Sequence, residues 1–278
     1  MNVKELKEFA EQGNADAQYE LGVYFDDEGN FDEAFRWYLL AAKQGHVKAQ
    51  YAVGDCYALG FGVEGDWEEA YRWFLRAAEQ GYAEAQFDVA ECLATGTGVE
   101  ENQDEAVRWY LKSAQGGYAF AQAVLGILYE EGEIVPQDYN EAAKWYQLAA
   151  EQGHLEGQYN LGCLYLNGQG VEQDYERAFE LFTRAAADRE HGSISALNNM
   201  GYCYQYGYGI SQNIEKAVEY YQLSANRGDA VAAYNLGECY ELGNGVAKDL
   251  TKALEWYRIA AERGDEDAQK KICELTKQ

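Results

Sequence analysis

Apolar and polar positions along the 278-residue chain follow a helical period that recurs in blocks of about 36 residues. In the second block Ala49, Val53, Cys56 and Tyr57 have the i, i+4, i+7, i+8 spacing of one helix face. A Gly-rich loop follows, and residues 70–78 then carry a second apolar stripe. Each block therefore predicts two amphipathic helices joined by a short loop.

A small residue recurs at one position of the first helix in every block: Gly22, Gly54, Ala90, Gly126, Gly162, Gly201 and Gly237. A single hairpin of this kind cannot bury its apolar face, but stacked hairpins can. The sequence therefore predicts an all-α fold, a solenoid of about seven helix-turn-helix repeats. The predicted repeats are 13–44, 45–80, 81–116, 117–152, 153–191, 192–227 and 228–263, flanked by partial helices at 1–12 and 264–278.

The second helix of every block has a start signal, an Asn or Asp that can accept hydrogen bonds from the first free backbone N–H groups. These residues are Asn30, Asp66, Asn102, Asp138, Asp174, Asn213 and Asp249. In the first four blocks a Glu follows three residues later, which predicts a capping box in which the Glu side chain bonds back to the cap.

Residues 60–65 read GFGVEG, which matches the GxGxxG pattern of dinucleotide-binding loops. Such a site needs a strand before the first Gly, whereas a helix is predicted there. Because a GxG pair recurs in five blocks, these glycines are interpreted as structural residues that allow unusual backbone angles in each loop.

The composition argues against several function classes. The net charge of −26 makes nucleic acid and anionic membrane surfaces poor partners. No apolar stretch reaches the roughly 20 residues of a transmembrane helix, so no membrane insertion is expected. The start MNVKELKEFAEQG lacks a signal-peptide core, which predicts a cytoplasmic protein, or a periplasmic or secreted one if a leader has been removed.

The sequence contains no motif that would bring candidate catalytic or metal-binding residues together. The six cysteines are interpreted as small core residues in a reducing compartment; a disulfide or zinc framework is the alternative, without a CxxC to support it. His46 and His154 fall at the same loop position of different repeats. The paired acids are typical of solvated surfaces. No catalytic residue, metal site or cofactor is therefore predicted.

The repeat pattern AxAQxxLGxxYxxGxGVxxDxxxAxxWYxxAAxxG, with EGQYNLGCLYLNGQGVEQDYERAFELFTRAA as its fifth copy, resembles the bacterial-type Sel-1-like repeats, a branch of the tetratricopeptide superfamily. The resemblance covers residues 13–278. It implies a right-handed superhelix whose first helices line a concave groove. The first copy has a loop four residues shorter, and an insertion at 188–195 adds three residues before the sixth copy.

The same resemblance implies which first-helix positions face the groove, and most of these residues are acidic or aromatic. The candidate ligand-binding residues are Tyr19, Tyr51, Asp55, Phe87, Glu91, Phe120, Tyr159, Asn160, Asn198, Asn199, Tyr202, Tyr206, Tyr234, Asn235 and Glu238. This set favours a protein or peptide ligand with basic or apolar side chains. The Asn residues predict a ladder that holds the backbone of an extended segment; the alternative is that they bond neighbouring helices or water.

These patterns predict a non-enzymatic scaffold or adaptor that binds a protein segment in an acidic, Tyr-rich groove. One alternative is an acidic inhibitor or regulator that blocks a basic partner surface, which steep salt dependence would reveal. The third hypothesis is that the protein is an enzyme. A monomer or a weak end-to-end oligomer is expected.

Overall fold

The computed structural model describes residues 3–187 and 192–276, and in these residues the regular structure consists of 16 helices. They are α1 (Val3–Glu11), α2 (Ala15–Asp27), α3 (Phe31–Lys43), α4 (Val47–Leu59), α5 (Trp67–Glu79), α6 (Ala83–Thr95), α7 (Gln103–Gln115), α8 (Ala119–Glu131), α9 (Tyr139–Glu151), α10 (Leu155–Asn167), α11 (Tyr175–Ala185), α12 (Ile194–Tyr206), α13 (Ile214–Asn226), α14 (Ala230–Leu242), α15 (Leu250–Glu262) and α16 (Glu266–Leu275). The end of the predicted fifth repeat at 191 and the first part of the insertion lie outside the described residues.

The chain divides into two compact units. The first contains residues 1–128 and 132–136, and the second contains residues 129–131 and 137–278. Within each unit, even-numbered helices pair with the odd-numbered helices that follow them, and successive hairpins pack on one another. The predicted all-α repeat fold is confirmed. Even-numbered helices from α2 onward are called first helices below, and odd-numbered helices from α3 onward second helices.

The recurrent Gly of the first helix lets an aromatic ring of the second helix lie directly on the helix backbone. A Cβ at Gly54 would fall 2.5 Å from the ring of Phe74, and one at Gly237 would fall 2.8 Å from the ring of Tyr257. Phe74 and Tyr257 are buried. Close approach of backbone and ring therefore explains why the small residue is repeated.

The predicted caps are present at all seven second helices, where each Asn or Asp side chain accepts a hydrogen bond from a backbone N–H of the first turn. The predicted capping box is wrong in its second half. The backbone N–H of Asp66 donates to the carbonyl of Tyr57 at 2.9 Å, and that of Asn102 donates to Leu93 at 2.8 Å. Because the preceding helix already satisfies this donor, the Glu side chain does not bond the backbone of the cap, and Glu105 instead accepts a hydrogen bond from the side chain of Asn102 at 3.4 Å.

The GxG pairs provide unusual backbone angles in the loops, as predicted, and the two glycines of each pair have different structural roles. Gly96 ends α6 in the left-handed conformation, with φ of 70°, and its backbone N–H donates to the backbone carbonyl of Cys92. Gly98 also has φ of 70°, and a Cβ there would overlap the carbonyl oxygen of Trp67 at the start of α5. The second Gly thus lets each loop lie against the helix of the preceding repeat.

Among the helices described here, none has both the length and the apolar character that a bilayer-spanning segment needs.

Candidate functional site

A pocket of about 390 Å³ opens in the first unit between α4, α5 and α6. Three of the predicted site residues, Tyr51, Asp55 and Glu91, lie in its wall. Asp88 on α6 adds a third carboxyl group, and the hydroxyl of Tyr51 hydrogen-bonds it. Part of the predicted acidic and aromatic set is therefore brought together in one concavity.

The carboxyl groups of Asp55 and Asp88 are half-buried, and the charges of neighbouring carboxyl groups act on both. Burial, followed by the charges of Asp88 and Asp26, raises the pKa of Asp55 to about 7. Burial also raises the pKa of Asp88 to about 6, against the lowering effect of the hydrogen bond from Tyr51 and with Glu91 adding to the rise. The described residues that line the pocket include no Lys or Arg. A cation placed here would favour the ionised forms of both groups.

The other predicted residues of the first unit lie in aromatic clusters. The ring of Tyr19 stacks on that of His46 with centroids 4.8 Å apart. The ring of Phe87 lies 5.3 Å from that of Tyr118 and 6.5 Å from that of Phe120. Phe120 is 53% exposed, so a large apolar side chain of a first helix faces solvent.

A second pocket, of about 540 Å³, lies in the second unit, and Tyr159, Asn198 and Asn199 are in its wall. The side chain of Tyr159 hydrogen-bonds Cys163 and Ser195. This pocket is more polar than the first, and Asp229 is its one acidic lining residue among those described.

The predicted Asn ladder makes several of its hydrogen bonds within the protein. Asn235 Nδ2 donates to Asn198 Oδ1 at 3.0 Å. Asn199 Nδ2 donates to Cys163 Sγ at 3.6 Å, and Asn160 hydrogen-bonds the hydroxyl of Tyr146. An Asn side chain has two N–H donors and an acceptor, so one such bond does not use its full capacity. The ladder stays a prediction.

Tyr234 and Glu238 lie beside an ammonium group that the chain itself supplies. Lys271 Nζ contacts Glu241 at 3.0 and 3.2 Å, and Tyr234 and Glu238 both raise the pKa of this lysine, after the larger effect of its bond to Glu241. Burial raises the pKa of Glu241, but the hydrogen bonds from Tyr257 and Lys271 outweigh it, and the net shift is downward.

Tyr202 and Tyr206, 37% and 50% exposed, complete the predicted set as part of a surface cluster of four tyrosines. Their ring centroids are 4.6 Å apart, and Tyr206 stacks at 5.7 Å on Tyr208, which in turn stacks at 4.3 Å on Tyr175. This cluster presents contiguous aromatic surface on α12, on the loop that follows it and at the start of α11.

Several acidic first-helix residues accept a hydrogen bond from a buried tyrosine of the second helix. Tyr110 donates to Glu91, Tyr146 donates to Glu130 at 2.7 Å, and Tyr257 donates to Glu241 at 2.5 Å. Two repeats have Phe at this position instead, Phe74 and Phe182, and the residues equivalent to Glu130 are then Ala58 and Leu166. Each of these tyrosines has an acceptor, because an unpaired buried hydroxyl is costly, and the two repeats without the hydroxyl have no acceptor at the position of Glu130. In the repeat of Tyr110 that position is Ala94, and Glu91, three residues earlier, is the acceptor.

This pairing leads to a first prediction. Tyr146→Phe should lower the free energy of unfolding by about 1–2 kcal/mol, since it leaves the Glu130 carboxylate without its donor. Glu130→Leu added to Tyr146→Phe should recover most of this loss, because it reproduces the Phe182 and Leu166 pair. A double-mutant cycle by urea unfolding measures the coupling. Strictly additive losses would show that the two side chains are independent.

Asp88 and Trp67 are two residues of the first pocket that the sequence did not indicate. Asp88 is seven residues after the Gly that opens its repeat, the position that Asn residues of the predicted ladder occupy in other repeats. Trp67 is the first residue of α5 and is 46% exposed in the pocket wall. Its equivalents Phe31 and Tyr175 are each stacked on a loop aromatic of the next repeat, whereas Thr97 occupies that loop position here.

The described histidines have structural roles, and the cysteines are core residues as predicted except Cys163, which is half-buried, and Cys273, which is exposed. His46 and His154 cap α4 and α10, each accepting a backbone N–H through Nδ1. All six cysteines carry free thiols, four of them buried. Within the described residues no group of three or more His, Cys, Asp or Glu side chains is placed to hold a metal ion.

Comparison with known proteins matches this fold. The family described as Sel1 repeat matches residues 15–46, 47–82, 83–118, 119–154, 155–188, 194–229 and 230–265. A search of curated proteins finds no match.

Two solved structures are similar over most of the chain. A protective antigen present in uropathogenic Escherichia coli strains, which displays an SLR fold, is 34% identical with a TM-score of 0.85. The match covers 99% of this chain and 59% of the antigen, so the chain spans less than two thirds of that protein. A Sel1 repeat protein from Oxalobacter formigenes is 32% identical with a TM-score of 0.75, over 87% of this chain and 96% of that one.

Seven consecutive matches extend from residue 15 to residue 265, and the helical hairpins, caps and glycine contacts above recur with the same period. Solenoids of this type are typically protein-binding and generally non-enzymatic. The chain belongs to the Sel1 repeat family.

Proposed function

We propose that this protein is a scaffold or adaptor that binds a protein segment carrying basic and apolar side chains on the surface formed by its first helices. The pocket between α4, α5 and α6 is the observation that carries the proposal. It combines aromatic walls with three carboxyl groups and is lined, among the described residues, by no basic side chain. Aromatic surfaces beside carboxylates suit the methylene stems and cationic ends of Lys and Arg.

Exposed aromatic residues on the same type of helix support this proposal. Phe120 on α8 and Tyr202 and Tyr206 on α12 are large, partly apolar and exposed. Residues of this kind contribute much of the binding energy of protein interfaces. The net charge of −26 also favours and accelerates encounter with basic partners.

The experiment compares capture of proteins from the native cell lysate by two matched triple variants. One carries Phe120→Ser, Tyr202→Ser and Tyr206→Ser on first helices. The other carries Leu40→Ser, Leu148→Ser and Leu223→Ser, which are exposed apolar residues of second helices. We expect a protein that binds the wild type to be lost by the first variant, at least tenfold, and retained by the second. Equal capture by both variants would contradict binding through the first helices.

An acidic inhibitor that blocks a basic partner surface is the second candidate, favoured by the overall charge. Binding of that kind would weaken steeply as salt is raised, whereas burial of aromatic side chains is far less sensitive. Repeating the capture at 0.05 and about 0.5 M salt separates the two, since Debye screening lengths differ several-fold over this range.

A further inference from the structure

Three side chains of the first pocket have equivalents in the second unit, where one acidic position is basic instead. Tyr51, Asp55 and Asp88 stand at the same repeat positions as Tyr234, Glu238 and Lys271. In both sets the first two residues come from one first helix and the third comes from the next first helix. In the second unit the third member of this arrangement is therefore itself a cation.

In the second unit the cation is built into the chain. The Lys271 ammonium contacts both oxygens of Glu241, and Tyr257 orients the carboxylate through its hydroxyl. The pKa of Glu241 is lowered as a result. In the first unit Asp88 stands where Lys271 would be, and the pKa values of Asp55 and Asp88 are raised. The first pocket thus has the carboxyl group of Asp88 in place of the ammonium, and it has Ala58 in place of Glu241.

The walls of the first pocket fit the rest of a lysine side chain. Leu59 is 63% exposed and Trp67 is 46% exposed, and both line the pocket with the buried ring of Phe74. These surfaces can cover a four-carbon stem, and Trp is the aromatic side chain that attracts cations most strongly. Thr97, in place of the aromatic residue that stacks at this point in other repeats, leaves the indole accessible.

We propose that the pocket between α4, α5 and α6 binds the side-chain ammonium group of a lysine of the partner segment, among the carboxyl groups of Asp55, Asp88 and Glu91 and against Trp67. The proposal rests on the scaffold function and specifies one subsite of it. An ammonium group has three N–H donors that can each bond a different carboxylate, which matches three separate carboxyl groups better than the planar fork of a guanidinium does.

The direct test uses n-butylamine, which carries the stem and ammonium of lysine, with n-butylguanidine as the competing cation. The indole N–H signal of Trp67 and the side-chain carboxyl signal of Asp55 are followed by NMR as each compound is added to the full chain. We expect saturable shifts with butylamine, a fall in the pKa of Asp55, and binding at least tenfold weaker with butylguanidine. In Asp55→Asn with Asp88→Asn the affinity for butylamine should fall at least tenfold.

The matched control is Glu64→Gln with Glu100→Gln, which removes the same charge from exposed loop positions and should leave butylamine binding unchanged. Unsaturable shifts that are equal in both double variants would overturn the site, since they would reflect ionic screening alone. A preference for butylguanidine would overturn lysine as the ligand.

A second experiment measures binding of the protein that is captured through the first helices, before and after its lysines are acetylated. Acetylation should weaken its binding to the wild-type chain at least tenfold and leave binding to Asp55→Asn with Asp88→Asn little changed. Capture that survives both acetylation and the double substitution would overturn the lysine subsite while the scaffold function stands. Butylamine binding without any capture through the first helices would contradict the scaffold function and indicate a site for free amines.

Discussion

Gly98→Ala is expected to lower the free energy of unfolding of the first unit by at least about 3 kcal/mol. Gly98 has φ of 70°, a conformation that costs a non-Gly residue about 1–2 kcal/mol. The new Cβ would also overlap the carbonyl oxygen of Trp67, which belongs to the helix backbone and cannot rotate away. The loop after α6 must therefore shift, and the wall of the pocket that Trp67 forms must shift with it.

Gly81→Ala is the matched control for this substitution. Gly81 has φ of 88°, but an added Cβ would meet no atom within 4 Å. Only the backbone term of about 1 kcal/mol is then expected. Urea unfolding followed by far-UV circular dichroism measures both losses. If the two variants lose the same stability, close approach to Trp67 is not the reason for the second Gly of the pair.

Much of the fold could be predicted because it depends on signals that are local in the chain. The apolar stripe at Ala49, Val53, Cys56 and Tyr57 specifies one helix face without knowledge of any partner. The caps at Asn30 and its equivalents act on backbone groups two or three residues away. Repetition of these signals seven times then indicates stacking.

The error in the capping boxes comes from a contact that lies outside the local signal. The Glu three residues after each of the first four caps can complete a capping box only if the backbone N–H of the cap is available to donate. In this fold the loop turns back so that Asp66 N–H reaches the carbonyl of Tyr57. A short-range rule could not include that carbonyl, because the loop conformation places it there.

The candidate site was less predictable because it depends on pairs of residues in different helices. Glu91 was treated as a ligand-facing acid, yet it accepts a hydrogen bond from a tyrosine 19 residues away, as Glu130 does from one 16 residues away. A signal for this was present in the sequence, since Phe182 is accompanied by Leu166. The role of Asp88 depends on its contact with Tyr51 of the preceding repeat, which only the structure brings within hydrogen-bond distance.

Asp55→Asn with Asp88→Asn is expected to stabilise the first unit above neutral pH, by several kcal/mol at pH 8, and by only about 1 kcal/mol at pH 4. The folded-state pKa values of about 7 and about 6 lie above the ordinary value of 3.8. The folded protein therefore binds more protons than the unfolded chain between these values, and its stability falls as the pH rises from about 4 to about 7. The neutral amides remove this loss.

The measurement is urea unfolding at pH 4, 6 and 8 for the wild type, the double variant and the control Glu64→Gln with Glu100→Gln. The other carboxyl groups that act on Asp55 and Asp88, namely Asp26, Glu84 and Glu91, remain in all three proteins. A difference between the double variant and the wild type that grows with pH, beside a flat difference for the control, is expected. A flat difference for both would mean that the pocket is hydrated enough to hold its carboxylates without cost. If the difference grows with pH, the ionised carboxyl groups of the pocket destabilise the free protein at neutral pH. A bound ammonium group would stabilise these carboxylates, so relief of the destabilisation would contribute to the binding free energy. Ligand and proton would then compete for the same carboxyl groups.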